Sequence, residues 1–151
     1  PNMPALIGEG ASCLVTNYNT SIINRKKVKK LFSKVGLTVW LKNEKEIDIA
    51  TAISGSGPGF VFYLVDAMEK AANKLGLDEK INKQLILQTF LGSLNLLKNH
   101  NKSANELAIS IAIKGGTTEA GIKVMKKNNI FKIFNNILYS AYKKANSIGR
   151  K

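Results

Sequence analysis

The first 45 residues show two different spacings of hydrophobic positions. Residues 11–16 are a short apolar run with β-branched residues at its end, which predicts a β-strand after a loop over residues 1–10. From residue 22 to residue 35 the apolar positions recur at helical spacing, which predicts a helix that Gly36 ends. Residues 37–41 predict a second strand. The pattern therefore indicates strand, helix and strand, the tail of an α/β sheet.

From residue 46 onward the pattern is helical throughout. The predicted helices cover residues 47–53, 60–75, 78–98, 103–113, 118–127 and 130–147. The helix that begins at Phe60 is apolar on all sides, so we expect it to be the most buried helix and to need cover on every face. The tail over residues 149–151 is expected to fray. We predict a mainly α fold with an α/β remnant over residues 1–45 and an all-helical domain over residues 46–151.

A glycine-rich stretch, Ser54-Gly55-Ser56-Gly57-Pro58-Gly59, precedes the helix at Phe60. It predicts a turn, and Pro58 suits the first position of the following helix, where a missing backbone N–H costs nothing. Glycine-rich turns that open helices can hold phosphates, but no Lys-Ser or Lys-Thr pair follows this one, which excludes a P-loop. Two interpretations remain open: tight packing of helices, or the close approach of a flat ligand.

Another turn joins the predicted helices that end at residue 113 and begin at residue 118. Its residues are Lys114, Gly115, Gly116, Thr117 and Thr118, followed by Glu119. Glycines let a ligand approach the backbone closely, a threonine can cap the new helix, and an acidic residue suits the first helical turn. Unpaired N–H groups at such a helix start favour a carboxylate or a phosphate. The turn is therefore either a small anion site or a plain helix–turn–helix corner without a ligand.

Composition narrows the class of protein. The chain of 151 residues is 44% hydrophobic and 22% charged, which is typical of a soluble globular domain that can bury a core. It has no apolar run long enough to span a membrane and no features of a leader sequence, so we expect a cytoplasmic location. Because the sequence does not begin with Met, we expect it to be cut from a longer chain.

The net charge and the single cysteine further restrict the functions and sites that the protein could have. The net charge is +13, nearly all from lysine, since Arg25 and Arg150 are the only arginines. Lysines spread over most of the predicted helices without interleaved aromatic residues indicate a solvated surface that can attract anionic substrates, and they argue against a nucleic-acid binder. Cys13 excludes an internal disulfide and a multi-cysteine metal site, so no metal is expected; we interpret it as a buried structural thiol. His100 is interpreted as a surface residue.

Four stretches, taken in this order, resemble the pyrroline-5-carboxylate reductase family of proline biosynthesis. Pro1-Asn2-Met3-Pro4-Ala5-Leu6 with Gly8-Glu9-Gly10 is similar to the family's Pro-Asn-Thr-Pro-Ala-Leu-Val-Gly-Glu-Gly. The stretch 54–58 matches its Ser-Gly-Ser-Gly-Pro turn, and Gln88-Thr89 with Gly92 fits its Gln-Thr-x-x-Gly helix. Residues 115–121 resemble its Pro-Gly-Gly-Thr-Thr signature. The resemblance covers only the family's C-terminal part, since the glycine-rich fingerprint of its Rossmann domain is absent here.

This resemblance implies both an architecture and a reaction. The architecture is the end of a Rossmann-type nucleotide-binding domain, followed by an all-helical domain that interlocks with a second subunit. The reaction is hydride transfer from NADPH or NADH to the C=N bond of 1-pyrroline-5-carboxylate, which yields L-proline. The resemblance therefore implies an NAD(P)H-dependent oxidoreductase that is a homodimer or a higher oligomer. Most of the family's cofactor domain precedes the matched part, so the chain alone is expected to have negligible turnover.

The resemblance also implies three groups of site residues. The turn Gly115–Thr118 would hold the substrate carboxylate, and Thr118 would be the catalytic residue, with its hydroxyl nearest the substrate. Asn2, Met3 and Pro4 would lie beside the nicotinamide. The turn Ser54–Gly57 would shape the floor of the pocket.

The sequence departs from the family pattern in three places. Met3 stands where the family usually has Thr, which removes a hydroxyl near the cofactor. Lys114 replaces the Pro before Gly-Gly, which loosens the turn while adding positive charge at the carboxylate site. Asn101-Lys102-Ser103 replaces the family's acidic-His-Pro run. The alternative is therefore a non-catalytic helical dimerisation module of the same fold, and a basic nucleic-acid binder is a third hypothesis.

Overall fold

The computed structural model describes residues 1–149. It has two compact units, one formed by residues 1–62 with the chain from residue 134 onward, and the other by residues 63–133. The strands are Gly10–Leu14 (β1) and Gly36–Trp40 (β2). The helices are Ile22–Phe32 (α1), Lys45–Ala50 (α2), Gly57–Asn73 (α3), Glu79–Lys98 (α4), Ala104–Ile111 (α5), Thr117–Lys127 (α6) and Ile130–Gly149 (α7). The predicted fold class, mainly α after an initial strand, helix and strand, is confirmed.

The two strands are parallel, with Gly10 opposite Gly36 at one end and Leu14 opposite Trp40 at the other. Helix α1 is the crossover between them, and the guanidinium of Arg25 lies 4.9 Å from the centre of the Trp40 ring. The helix ends at Phe32 and a 3₁₀ turn covers Ser33–Val35, so the prediction that Gly36 ends the helix is wrong. Gly36 instead starts β2 with φ +135°, and a Cβ there would collide with the backbone of Gly10. Glycine is required by the close approach of the two strands.

The first ten residues are more ordered than the predicted loop. Met3–Ile7 forms a 3₁₀ helix, with Pro4 in its first turn. The N–H of Gly8 donates to the carbonyl of Ala5 at 3.2 Å, and the N–H of Glu9 donates to Pro4 at 3.1 Å. Gly8 allows this ending because its φ is +79°. The short helix leads directly from Asn2 into β1.

The glycine-rich stretch is helical, so the predicted open turn over residues 54–59 is wrong. Thr51–Gly55 forms a π-helical turn, in which the N–H of Ser56 donates to the carbonyl of Thr51 at 2.8 Å. The hydroxyls of Thr51 and Ser54 donate to the carbonyls of Ile47 and Ala50, at 2.8 and 2.9 Å. Helix α3 then begins at Gly57. These hydroxyl-to-carbonyl hydrogen bonds explain why the turn is π-helical rather than α-helical, because Ser and Thr hydroxyls compete with the main chain for helical carbonyls.

The caps in the unit of residues 63–133 follow the sequence closely. The Asp78 side chain accepts the N–H groups of Lys80 and Ile81, at 2.9 and 3.2 Å, as predicted. The predicted capping box of α5 is also present: the Ser103 hydroxyl accepts the N–H of Glu106, and the Glu106 carboxylate accepts the N–H of Ser103 at 2.7 Å. Helix α5 ends at residue 111 rather than 113.

The chain by itself buries little apolar surface, contrary to the expectation from composition. The buried apolar side chains among residues 1–149 are Ala52 and Ile86. Helix α3, which was expected to be the most buried, has no buried residue, and Phe62 and Tyr63 are 56% and 76% exposed. Cys13 is likewise only partly buried. Large apolar side chains therefore remain uncovered along the helices, although no helix within residues 1–149 is long and apolar enough to cross a membrane.

The last helix extends further than predicted. Gly149 is its final residue, so the expected fraying at this position is wrong. The Asn146 side-chain N–H donates to the Asp48 carboxylate at 3.0 Å, which ties the end of α7 to α2 within the same unit. The rest of the expected frayed tail, Arg150 and Lys151, lies outside the described residues.

Candidate functional site

Asn2 connects the start of the chain to the glycine-rich stretch. Its side-chain N–H donates to the carbonyl of Ser54 at 2.9 Å, and its side-chain oxygen accepts the N–H of Ala11 at 2.8 Å. The side chain is half-buried. Both ends of the amide are thus engaged by backbone groups, one in β1 and one in the π-helical turn. Asn2 therefore holds the residues that follow it against residues 54–57.

A cleft of about 330 Å³ lies where these two segments meet. Its lining residues are Asn2, Pro4, Ile53, Ser54, Gly57, Pro58, Val61 and Phe62. The walls are mainly apolar, with the Asn2 amide as the main polar group, which suits a flat and weakly polar ring. Met3 is 63% exposed and is not among the lining residues. Two groups that were predicted separately, residues 2–4 and residues 54–57, are thus brought together.

Asn2→Asp is expected to lower the free energy of unfolding by about 1–3 kcal/mol. Aspartate keeps an acceptor for the N–H of Ala11 but replaces the donor to Ser54 by a carboxylate oxygen that faces a carbonyl oxygen. Chemical denaturation measures the change. Asn17→Asp is the matched control, because exposed Asn17 only accepts from the Thr20 hydroxyl and an aspartate can do the same. Equal stability of the two variants would contradict the bridging role of Asn2.

The Gly-Gly turn has a different construction from the one expected. Gly116 is the N-cap of α6, and no side chain caps it, so the prediction that Thr117 or Thr118 caps the helix is wrong. The Gly115 N–H donates to the Glu119 carboxylate at 2.9 Å, in a backbone with φ +77°. The Gly116 N–H donates to the carbonyl of Ile113 at 2.9 Å. Neither glycine N–H is available to a ligand in this conformation.

The helix start still offers free donors. The first backbone bond into α6 joins the N–H of Ala120 to the carbonyl of Gly116 at 3.1 Å. Within the described chain, the N–H groups of Thr117, Thr118 and Glu119 have no hydrogen-bond partner, as expected for the first turn of a helix. Thr118 is half-buried and Thr117 is exposed. Three N–H groups at the positive end of a helix, with a hydroxyl beside them, can bind a carboxylate.

Glu119 was expected only as a favourable charge in the first turn. Its carboxylate also lies 3.1 Å from the ammonium of Lys123. The N–H of Gly115 and, to a lesser extent, Lys123 hold the pKa of Glu119 below its ordinary value, so it is ionised at neutral pH. The backward contact to Gly115 was missed. Its signal was the position of Glu119 three residues after the N-cap, the spacing at which a glutamate reaches back to the backbone.

The predicted residues fall in different units. Residues 2–4 and 54–57 belong to the unit that includes the strands, and residues 115–118 belong to the unit of residues 63–133. The structure assembles the first two groups into one cleft and presents the third as a helix start with free donors. Among residues 1–149, no three His, Cys, Asp or Glu side chains cluster closely enough to hold a metal ion.

Comparison with known proteins identifies the family. The model of the pyrroline-5-carboxylate reductase dimerisation region matches residues 44–148. The pyrroline-5-carboxylate reductase of Pseudomonas aeruginosa is 41% identical over 128 residues, which is 85% of this chain and 47% of the relative. The enzyme of Synechocystis is 31% identical over 151 residues, covering all of this chain and 56% of the relative.

Solved structures agree with this result. The crystal structure of Plasmodium falciparum pyrroline carboxylate reductase with NADP bound is similar with a TM-score of 0.92 and 34% identity, over 99% of this chain and 61% of that one. The Coxiella burnetii pyrroline-5-carboxylate reductase is similar with a TM-score of 0.93 and 31% identity, over 97% and 54%. The chain therefore belongs to the pyrroline-5-carboxylate reductase family. It spans about half the length of the curated relatives that it matches.

Proposed function

We propose that this chain supplies the substrate-binding part of an NAD(P)H-dependent reductase that converts 1-pyrroline-5-carboxylate to L-proline. The observation that carries the proposal is the start of α6, where three unpaired N–H groups stand beside the Thr118 hydroxyl in the segment that the family model matches. The substrate is a small ring with one carboxylate and one C=N bond. The carboxylate is the group that such a helix start recognises.

In this proposal the turn Gly115–Thr118 binds and orients the substrate. The N–H groups of residues 117–119 hold the carboxylate, and Thr118 places its hydroxyl against the substrate as the proposed catalytic residue. The two glycines contribute by their backbone shape, since their own N–H groups are already paired. An anionic substrate is also favoured by the net charge of +13.

The cleft between residues 2–4 and 54–57 is the proposed place for the nicotinamide end of the cofactor. The apolar side chains of Pro4, Ile53 and Val61 and the amide of Asn2 fit a flat ring with a carboxamide. The bound cofactor would supply the hydride that adds to the carbon of the C=N bond, while the ring nitrogen takes up a proton.

The partner proposed for the helical part is a second copy of the chain. Exposed apolar side chains along α3 and α4 support this, as does the match to a dimerisation model. That match begins at residue 44, which supports the division into residues 1–45 and 46–151. A higher oligomer, and the cytoplasmic location expected from the sequence, belong to the same proposal.

The test is reductase activity of the polypeptide expressed from the complete reading frame. Oxidation of NADPH and of NADH is followed by the loss of absorbance of the reduced nicotinamide, with and without pyrroline-5-carboxylate. We expect turnover that depends on the substrate, and negligible turnover from the 151-residue chain alone. Sedimentation velocity of the same sample reports the oligomer. A folded dimer without turnover would overturn the enzyme proposal and favour the non-catalytic dimerisation module.

A further inference from the structure

We propose that Glu119 is a positioning residue, which fixes the Gly-Gly turn so that the free N–H groups of α6 face the substrate carboxylate. The inference rests on the proposed function of that turn. It concerns a residue that would not touch the substrate itself. The Glu119 carboxylate acts through the backbone of Gly115, whose N–H it accepts at 2.9 Å.

Two hydrogen bonds hold Gly115 in place: the Glu119 carboxylate accepts its N–H, and the bond from the Gly116 N–H to the Ile113 carbonyl closes the β-turn that contains it. Its φ of +77° is a left-handed conformation, and a Cβ built on it would meet no atom within 4 Å. Gly116 differs, because a Cβ there would lie 3.0 Å from the carbonyl oxygen of Ile113, which also accepts the Gly116 N–H. Packing and the turn bond therefore fix the second glycine, whereas the first meets no packing atom and is fixed by the turn bond together with the bond from its own N–H to Glu119. Lys114 offers no help, because the Pro of the family pattern is missing at this position.

A carboxylate beside an anion site carries an electrostatic cost, and Lys123 offsets it. The Lys123 ammonium lies 3.1 Å from the same carboxylate oxygen that accepts the Gly115 N–H. The Glu119 side chain is 29% exposed and the Lys123 side chain is 69% exposed, so the carboxylate is partly shielded from solvent and the ammonium is not. The pair can therefore shape the turn while adding almost no net charge next to the bound carboxylate.

The chain contains a second helix-capping glutamate, Glu106, which has no proposed anion site beside it and therefore serves as a control for Glu119. Glu106 occupies the corresponding position of α5, three residues after the N-cap, and accepts the N–H of Ser103 at 2.7 Å. It provides an ordinary helix cap with no Gly-Gly turn beside it. Glu106→Ala therefore shows what the loss of a capping glutamate does to the protein in general.

The experiment compares Glu119→Ala, Glu119→Gln and Glu106→Ala in the polypeptide from the complete reading frame. Glutamine keeps an oxygen that can accept the Gly115 N–H, whereas alanine does not. We expect Glu119→Ala to raise KM for pyrroline-5-carboxylate about 10-fold, which corresponds to one hydrogen-bonded restraint. KM for the cofactor should change less than about 2-fold, since that site is built from other residues. Glu119→Gln should stay within about 3-fold of the parent, and Glu106→Ala should leave both constants unchanged.

Amide hydrogen exchange at Gly115 gives a readout independent of turnover. We expect exchange to be at least about 10-fold faster in Glu119→Ala than in the parent or Glu119→Gln, because the N–H loses its acceptor. Unchanged exchange in Glu119→Ala would overturn the inference. Equal effects of Glu119→Ala and Glu106→Ala on the substrate KM would also overturn it, since only general destabilisation would then be seen.

Different experimental results would overturn the inference about Glu119 and the proposed function. Absence of turnover in the parent protein overturns the proposed function. The positioning role is then judged from the shifts that L-proline, a ring carboxylate, induces in the amide signals of Thr117 and Thr118. Shifts that persist in Glu119→Gln and disappear in Glu119→Ala support the inference. Shifts that are equal in all variants, or absent from the parent, overturn it.

Discussion

Gly36→Ala is expected to destabilise the unit that contains the two strands by about 2–5 kcal/mol, enough to unfold a marginally stable protein. The added Cβ would collide with the backbone oxygen, nitrogen and carbonyl carbon of Gly10, directly across the parallel pair. Backbone atoms cannot rotate away as a side chain can, so the strands must separate at this end. The φ of +135° adds a conformational cost, because alanine rarely adopts it.

Equilibrium denaturation followed by far-UV circular dichroism measures this loss. Gly76→Ala is the matched control, since Gly76 also has a positive φ, of +91°, but a Cβ there would meet no atom within 4 Å. It should cost only the conformational part, about 1–2 kcal/mol. If both variants lost the same stability, the collision with Gly10 would not be the reason for glycine at position 36.

Gly36 also shows that a local sequence pattern does not predict contacts with residues far away in the sequence. The sequence places a glycine after a helical repeat, and the usual meaning of that arrangement is a helix stop. Its actual role depends on Gly10, which lies far away in sequence and opposite in the sheet. Caps within one turn, such as Asp78 and the pair Ser103 and Glu106, were predicted correctly because all of their partners are local.

The conformation of the glycine-rich stretch and the burial of α3 were harder to predict from the sequence, for a related reason. Thr51 and Ser54 decide between an open turn and a π-helical turn through their hydroxyl bonds, and spacing of apolar residues does not report such bonds. The residues of α3 are apolar, and burial was predicted from that property, but these residues are exposed in the chain alone. Hydrophobicity predicts that a surface needs cover, but it does not say whether the same chain provides it.

The sequence was enough to select candidate site residues, but not to predict the contacts among them. Family motifs located residues 2–4, 54–57 and 115–118, and the cleft supports the association of the first two groups. The bridge by Asn2 joins residues that are 52 positions apart, a distance that no local rule covers. Their roles toward cofactor and substrate stay predictions, and the most direct of them concerns Thr118.

Thr118→Ala in the polypeptide from the complete reading frame is expected to raise KM for pyrroline-5-carboxylate by about 10–100-fold, the effect of one hydrogen bond to a charged or reacting group. KM for the cofactor should change much less. The variant is informative because Thr118 does not cap α6, so no cap is lost. Alanine also has a higher helix propensity than threonine. The free energy of unfolding should therefore stay within about 0.5 kcal/mol of the parent, and a kinetic change would report binding rather than folding.

Two further substitutions separate the hydroxyl from the shape of the side chain. Thr118→Val keeps the branched shape and removes the hydroxyl, so it should behave like Thr118→Ala. Thr118→Ser keeps the hydroxyl and should recover most of the substrate affinity. Steady-state kinetics with each substrate varied in turn decides the matter. If Thr118→Val matched the parent, the half-buried side chain would act through its packing alone, and the hydroxyl would have no role in holding the substrate.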